Sequence, residues 1–405
     1  MRKVSALALA VLLLGCATMK KTFRQNPDEW IHGQVAEGFE PVRGEFTRNF
    51  TERGEIGAAC CVYYHGEKVV DLWGGYRDWK PQSPWEENTV VRVFSTTKGM
   101  ALLVLGKLHS DGLLDYREKV SAYWPGFAKN GKEDITVEQL VTHKAGLVLL
   151  DRGVKVSELH DFDALRELLE NAKPMWEPGT KHGYQSATIG LYAQQLVQMI
   201  DPQARTIGQF FQEEIAEPLG VDFFIGIPND FDTGRVARLK MISPIGGLFN
   251  LHKPPKGMLK HLLNPFSLFN KSFTTIKADM KDPVEELRYE EAAGGGAGEA
   301  RALAKIYGIL ATGGNELGIS PQTMEWFTRY TEPPTDGDID VVMGIKTLGS
   351  PAGYAKPTEL FDFGSRSAFG FTGSGGSFAF ADPEYGLGYA YVMNKMDFYG
   401  MNDPR

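Results

Sequence analysis

Apolar positions along this chain fall into three regimes. Near the start, Phe39 to Arg53 mixes apolar and charged residues in the manner of an amphipathic helix. Two strands are predicted next, about 57–65 and 68–75, joined at His65-Gly66-Glu67 and closed by Gly74-Gly75. After the extended run Thr89–Phe94, Met100, Leu102, Leu103, Leu105 and Leu108 recur at helical spacing up to Asp111-Gly112. From there to about residue 290 the signals are helical with loops. Thr136-Val137-Glu138-Gln139 and Thr206-Ile207-Gly208-Gln209 read as capping boxes, and Leu165-Leu168-Leu169 and Ile189-Leu191-Leu196-Val197 supply further stripes. Glycines from Gly294 to Gly298 precede another helix, Ala300 to Ala311. The C-terminal third returns to strands at 340–348, 376–381 and 387–394, with Asp382-Pro383-Glu384-Tyr385-Gly386 as a hairpin turn. Strands at both ends around a helical middle predict an α+β domain over 39–405. Its sheet parts are about 39–94 and 300–405, and its inserted helical part is about 95–299.

Composition narrows the function classes. With 405 residues the chain can bury a large core, and a net charge of −8 without a long basic run argues against nucleic acid as a partner. At the N-terminus, Arg2-Lys3 precede an apolar run from Val4 to Gly15, too short to span a bilayer and proportioned like a signal segment. Leu13-Leu14-Gly15-Cys16 resembles a bacterial lipobox, so residues 1–18 are read as a signal peptide with Cys16 as the lipidation site. A plain cleaved signal or an uncleaved anchor is the alternative. Either way the protein is expected to be exported: periplasmic or membrane-anchored through its N-terminus if bacterial, otherwise secreted. The remaining cysteines, Cys60 and Cys61, are adjacent in a strand and point to opposite faces, which leaves no disulfide framework. No His/Cys or carboxylate cluster has metal-ligand spacing and no glycine loop cradles a phosphate, so no cofactor is expected. One stretch departs from the average. Arg238 to Lys281 holds eight Lys/Arg against the single acidic Asp279, a local +7, with Met258, Leu259, Leu262, Leu263 and Phe266 giving it an apolar face. A long loop packed on the helical region is the favoured reading; a flap near the site or a membrane-facing surface is the alternative.

The chemistry centres on Val93-Phe94-Ser95-Thr96-Thr97-Lys98-Gly99-Met100. Ser95 and Lys98 stand one turn apart where an extended segment enters a helix. A lysine in the first turn of a partly buried helix feels the positive end of the helix dipole and loses solvent, so its amine can be neutral and take the serine proton. Taken alone, Ser-x-x-Lys reads equally well as an N-cap serine and a solvated lysine. Two other stretches can complete a site. Pro178–Ser186 puts Tyr184 on a loop just before a helix, where a phenol beside an ammonium would have a lowered pKa. Phe371-Thr372-Gly373-Ser374-Gly375-Gly376 leads into a strand whose bare backbone can offer an N–H to a carbonyl oxygen.

These segments, in this order, resemble the serine beta-lactamase and penicillin-binding-protein superfamily in its class C and esterase-like branch. Ser95-Thr96-Thr97-Lys98 matches the first motif, Tyr184-Gln185-Ser186 stands where Tyr-x-Asn is usual, and Phe371-Thr372-Gly373 stands where Lys-Thr-Gly or His-x-Gly is usual. Leu140–Leu147, Pro218-Leu219-Gly220 and Gly375-Gly376 before Asp382-Pro383 support the match, which covers about residues 39–395. The resemblance implies an antiparallel sheet flanked by helices with an inserted helical domain, and the catalytic serine between them. It implies Ser95 as acylated nucleophile, Lys98 as base, Tyr184 as proton relay, and the N–H groups of Ser95 and Ser374 as oxyanion hole. Ser186, Phe371, Thr372 and Gly373 become substrate-binding positions. His143, within the supporting match, is read as a structural hydrogen-bonding residue rather than a base. Relatives usually continue into a C-terminal helix that covers one sheet face; here either that face is covered otherwise, for instance by the 39–53 helix or a partner chain, or this form is less stable than its relatives.

The departures bear on substrate. Phe371 cannot hold a substrate carboxylate as a cation would, a loss on the order of 1.5–3 kcal/mol of charge-assisted hydrogen bonding. Ser186 is shorter than the usual asparagine and offers less to an acylamino side chain. Both favour neutral esters. The expected activity is therefore an exported serine hydrolase cleaving carboxylic esters through an acyl-enzyme on Ser95, acting on a small-molecule ester or amide. A beta-lactamase or D-amino-acid peptidase is the first alternative, and a non-catalytic binding or scaffold protein on the same fold is the second.

Overall fold

The computed structural model describes residues 29–80, 82–242 and 244–405. The signal-peptide and lipobox readings, with Cys16, lie outside the described residues. At the centre is an antiparallel sheet built from both ends of the chain. In chain order its main strands are β1 (Ile31–Val35), β2 (Gly57–Tyr64), β3 (Glu67–Asp78), β4 (Phe369–Thr372), β5 (Phe378–Asp382) and β6 (Leu387–Met393). They lie side by side as β1-β3-β2-β6-β5-β4, every neighbour antiparallel, and the short strand Ser83–Pro84 adds to β3. The β2–β3 hairpin turns where predicted: His65 and Gly66 both take positive φ (48° and 85°), the two-residue reversal that matches strand twist.

Alternation along β2 sends successive side chains to opposite faces. Ala58, Cys60 and Val62 join Tyr391 and Met393 of β6 against Phe46 and Phe50 of helix α1 (Glu40–Thr51). Each buried phenylalanine there is worth about 1.5–3 kcal/mol of removed apolar surface. This face is thus covered by the 39–53 segment, one of the options the sequence left open. Cys61 points the other way, into the main core, and both cysteines are free.

The second face carries helix α6 (Ala300–Ala311), on which β6, β2 and β5 pack. Contact is close because glycine meets glycine: a Cβ on Gly388 would stand 2.2 Å from the Gly308 nitrogen. Between the sheet and the helical part runs α2 (Thr97–Ser110). Every residue from Thr97 to Gly106 is buried, as an all-round apolar helix must be. The Ile189–Val197 stripe lies on helix α3 (Thr188–Ile200), and both predicted capping boxes form, Thr136 with Gln139 and Thr206 with Gln209.

The reading of 340–348 as a strand is wrong. Asp340 is buried, and its carboxylate accepts the backbone N–H groups of Val342 and Met343 at 2.8 Å each, while Gly344 takes φ 70°. A side chain that captures local N–H groups closes a turn and withdraws them from a ladder. Phe369–Thr372 and Ile31–Val35 are strands that the apolar pattern did not announce.

Candidate active site

Ser95 sits in a single 3-10 turn, Phe94–Thr96, immediately before α2. Phe94 has φ 49°, a left-handed conformation for a large aromatic residue, which stores about 1–3 kcal/mol of backbone strain beside the serine. The turn is held from two sides. From the sheet, the Ser377 hydroxyl donates to the Val93 carbonyl at 2.7 Å and lies 3.2 Å from the Thr96 hydroxyl. From the 291–298 loop, the Gly296 N–H donates to the Thr97 hydroxyl at 3.0 Å and the Val93 N–H to the Gly296 carbonyl at 2.9 Å. Gly373 must be bare, since a Cβ there would stand 2.2 Å from both the Val93 oxygen and the Ser377 hydroxyl.

The Lys98 ammonium reaches the Ser95 hydroxyl at 3.1 Å and is fixed by two carbonyls, Ser186 at 2.7 Å and Ala293 at 2.9 Å. Burial lowers its pKa to about 7, against the pull of the Glu291 carboxylate, which favours the ammonium. Around neutrality the amine is therefore available as a base. The Tyr184 hydroxyl donates to the Ser95 hydroxyl at 2.8 Å. The expectation of a lowered Tyr184 pKa is corrected here: burial pushes the phenol well above its ordinary value, and the hydrogen bond to Ser95 only partly offsets this. Lys98 lies over the face of its ring, 4.8 Å from the centroid. Tyr184 is thus a proton-holding donor aimed at the Ser95 oxygen.

Ser95, Tyr184, Phe371, Thr372, Gly373 and Ser374 all line one cavity of about 220 Å³. Among the described residues, the backbone N–H groups of Ser95 and Ser374 have no acceptor within the chain. They are free to hold an oxygen in the cavity. Phe371, on β4, is mostly buried; its ring is 6.5 Å from that of Tyr184 and 5.9 Å from the Lys98 nitrogen. Ser186 does not line the cavity. Its hydroxyl is bonded to Ser272 at 2.7 Å and its carbonyl holds Lys98, so here it braces the lysine. His143 accepts the Gln185 N–H at Nδ1 (3.3 Å), and burial lowers its pKa to about 3, which leaves it a neutral acceptor as expected.

The 238–281 segment is more than a loop on the helical region. It forms helices α4 (Lys256–Leu263) and α5 (Leu268–Phe273), and Met258, Phe269 and Phe273 from it line the cavity. Sequence reasoning missed Glu291 and Asp340. Glu291 is buried beside Lys98 and caps the loop through the Ala293 N–H at 3.0 Å; burial raises its pKa. Asp340 accepts the Tyr184 backbone N–H, and burial raises it to about 6. Each is an acidic residue whose burial local spacing does not signal. Among the described residues no group of His, Cys, Asp and Glu side chains is placed to hold a metal ion.

The family model described as Beta-lactamase matches residues 43–404. The chain is similar to "Esterase/beta-lactamase LipL" of Mycobacterium tuberculosis, 32% identical over 375 residues, covering 90% of this chain and 83% of the relative. Among solved structures it is similar to a family VIII carboxylesterase, with TM-score 0.78, 34% identity, and 92% and 96% of the two chains covered. A penicillin-binding protein homolog from Caulobacter crescentus gives TM-score 0.77 and 33% identity over 90% and 94% of the two chains. The chain belongs to the Beta-lactamase family and is a serine hydrolase of the beta-lactamase and penicillin-binding-protein-like fold.

Proposed function

We propose that this hydrolase cleaves carboxylic esters through an acyl-enzyme on Ser95. The observation that carries the reading is Phe371: an aromatic ring, packed against Tyr184 and Lys98, occupies the position from which a cation would hold a substrate carboxylate. Other lysines at the cavity are engaged. Lys346 pairs with Asp338 at 2.7 Å, Lys144 donates to the Thr331 hydroxyl and the Glu332 carbonyl, and Lys356 donates to the Thr328 carbonyl. Lys253, in the basic 238–281 segment, pairs with Asp397 at 2.6 Å, and neither it nor Lys256 lines the cavity. The relatives described as an esterase/beta-lactamase and a carboxylesterase support the same substrate class.

In this mechanism neutral Lys98 takes the Ser95 proton as the hydroxyl oxygen bonds to the ester carbonyl carbon. The carbonyl oxygen becomes an oxyanion between the N–H groups of Ser95 and Ser374. Collapse breaks the carbon–alkoxide bond. Tyr184 gives its proton to the leaving alkoxide and is re-protonated from the Lys98 ammonium. Water then repeats the attack on the acyl-enzyme, releasing the acid and restoring the Ser95 hydroxyl. The high pKa of Tyr184 suits a relay that never rests as phenolate. Intact-mass analysis after a fluorophosphonate probe tests the nucleophile: one adduct on wild type, none on Ser95→Ala. Folded wild type without an adduct would return the chain to the scaffold reading.

Export is part of the same proposal and is supported by the N-terminal pattern alone, Arg2-Lys3, the apolar run and Leu13-Leu14-Gly15-Cys16. Fractionation of expressing cells, with Cys16→Ser beside wild type, checks it; a full-length cytoplasmic product would overturn it.

A further inference from the structure

Among the described residues, five exposed large apolar side chains fall in one stretch, Met241, Phe249, Leu263, Phe266 and Phe273, with Leu263 59% and Phe266 81% exposed. Their exposure is built in. The Asn270 amide donates to the carbonyls of His261, Leu262 and Asn264, and Ser267 donates to His261, so the turn bearing Phe266 has its polar backbone satisfied internally while its apolar side chains face out. The same stretch is basic. Lys256 and Lys260 lie at i and i+4 of α4, on the face that carries Leu263 at i+7, and both are exposed, as is Lys271. Apolar side chains flanked by lysines on a short helix are what an element lying in a lipid headgroup plane needs.

Position ties this surface to the site. Phe273 is at once exposed and part of the cavity wall, its ring 4.5 Å from Phe269 and 6.2 Å from Tyr184. An apolar path therefore runs from the outer surface to the residue that donates to Ser95. Beside it, Ser272 is fully buried and bonded to Ser186, whose carbonyl holds Lys98.

We infer that residues 241–273 dock the protein on an anionic lipid surface with the cavity mouth turned towards it. Charge favours this occupant over a second copy of the chain. A symmetric pairing would bring two such segments together, each carrying Lys253, Lys256, Lys260 and Lys271 and no acidic residue, whereas an anionic surface attracts the segment and repels the rest of a chain whose total is −8. On the ester reading above, a substrate dissolved in the surface would reach Ser95 without crossing water, but docking itself needs no turnover.

The test uses the full chain carrying Cys16→Ser, so that no lipid on Cys16 contributes. It is mixed with vesicles of phosphatidylcholine alone or with about one third phosphatidylglycerol. Affinity for the anionic vesicles should exceed that for the neutral ones by at least ~tenfold, and Leu263→Ser/Phe266→Ser and Lys256→Glu/Lys260→Glu should each remove most of that gain. All variants share one N-terminus, so the differences read the segment. Folding is checked by thermal unfolding, which keeps the outcome separate from the ester reading. In Phe266→Trp, brominated lipid in anionic vesicles should quench more emission than in the parent chain. Equal binding by parent and variants, or no added quenching, overturns the inference. So does a sedimentation result in which the parent is a dimer and the Leu263→Ser/Phe266→Ser chain a monomer, since the surface would then belong to a second copy.

Discussion

At the residue scale, three side chains share one oxygen. Ser95 receives hydrogen bonds from Lys98 and Tyr184 at 3.1 and 2.8 Å, so removing either partner disturbs the same proton path. Lys98→Ala and Tyr184→Phe should each lower kcat on an aryl ester by ~10²–10⁴, and the double variant should lose little more than the worse single one. Near-normal turnover in Lys98→Ala would remove the lysine from the mechanism. The pH profile probes the buried pair behind it. Lys98 must be neutral to act, so kcat/KM should rise with pH through about 7 and be lost below it as the ammonium forms. Glu291 favours that ammonium. Glu291→Gln keeps an acceptor for the Ala293 N–H but withdraws the negative charge, so the acid limb should move to lower pH. A limb that stays put, or moves up, would mean that Glu291 does not carry charge in the working enzyme. The Ser95–Lys98 spacing and Tyr184 were legible because neighbours along a helix turn and a motif order are local facts. Glu291 was not, because its approach to Lys98 is created by a loop that returns from almost two hundred residues further on.

At the element scale, the site depends on where a strand end meets a turn. The β4–β5 connection crosses the Ser95 turn so closely that Gly373 has no room for a methyl group, with the Val93 carbonyl and the Ser377 hydroxyl both at 2.2 Å from a Cβ. Gly373→Ala must push the strand and the turn apart, and a displacement near 1 Å between reacting groups can cost ~10²-fold in rate. We expect kcat to fall by about that factor while the sheet persists, checked by single-turnover kinetics beside thermal unfolding. Unchanged kcat would show that the turn and β4 are not coupled. The long elements were readable from pattern. Helix α6 begins and ends at the expected residues, and α2 follows the Leu102–Leu108 stripe. The failures share a cause. Residues 340–348 carry strand-like residues, yet the buried Asp340 carboxylate binds their N–H groups into a turn; Phe369–Thr372 is too short for a period to emerge. In both, the deciding partner lies outside the apolar pattern: a side chain two or three residues away in the first, the neighbouring strand β5 in the second.

For the whole molecule, substrate choice is set by a cavity whose walls come from distant parts of the chain, and this is where sequence reading had least purchase. The motifs named Phe371 where a cation is usual, but not that its ring would be largely buried near Tyr184 and Lys98, nor that Phe269 and Phe273 would line the same cavity. That burial sharpens the test of specificity. A lysine at 371 would lose solvent and stand near a second lysine, so like-charge repulsion would depress Lys98 further and shift its acid limb downwards. A substrate carboxylate would relieve that repulsion; a neutral ester would not. Phe371→Lys should therefore slow hydrolysis of a short aryl ester and raise kcat/KM for a carboxylate-bearing lactam relative to it by roughly tenfold, equivalent to about 1.4 kcal/mol. Because the position is buried, added salt should change this ratio little, whereas an exposed charge would be screened. Wild type should prefer the ester outright. Measuring both substrates on both proteins at two salt concentrations decides the matter, and efficient lactam hydrolysis by wild type, unaltered in Phe371→Lys, would mean that the carboxylate is held elsewhere and that the ester reading fails.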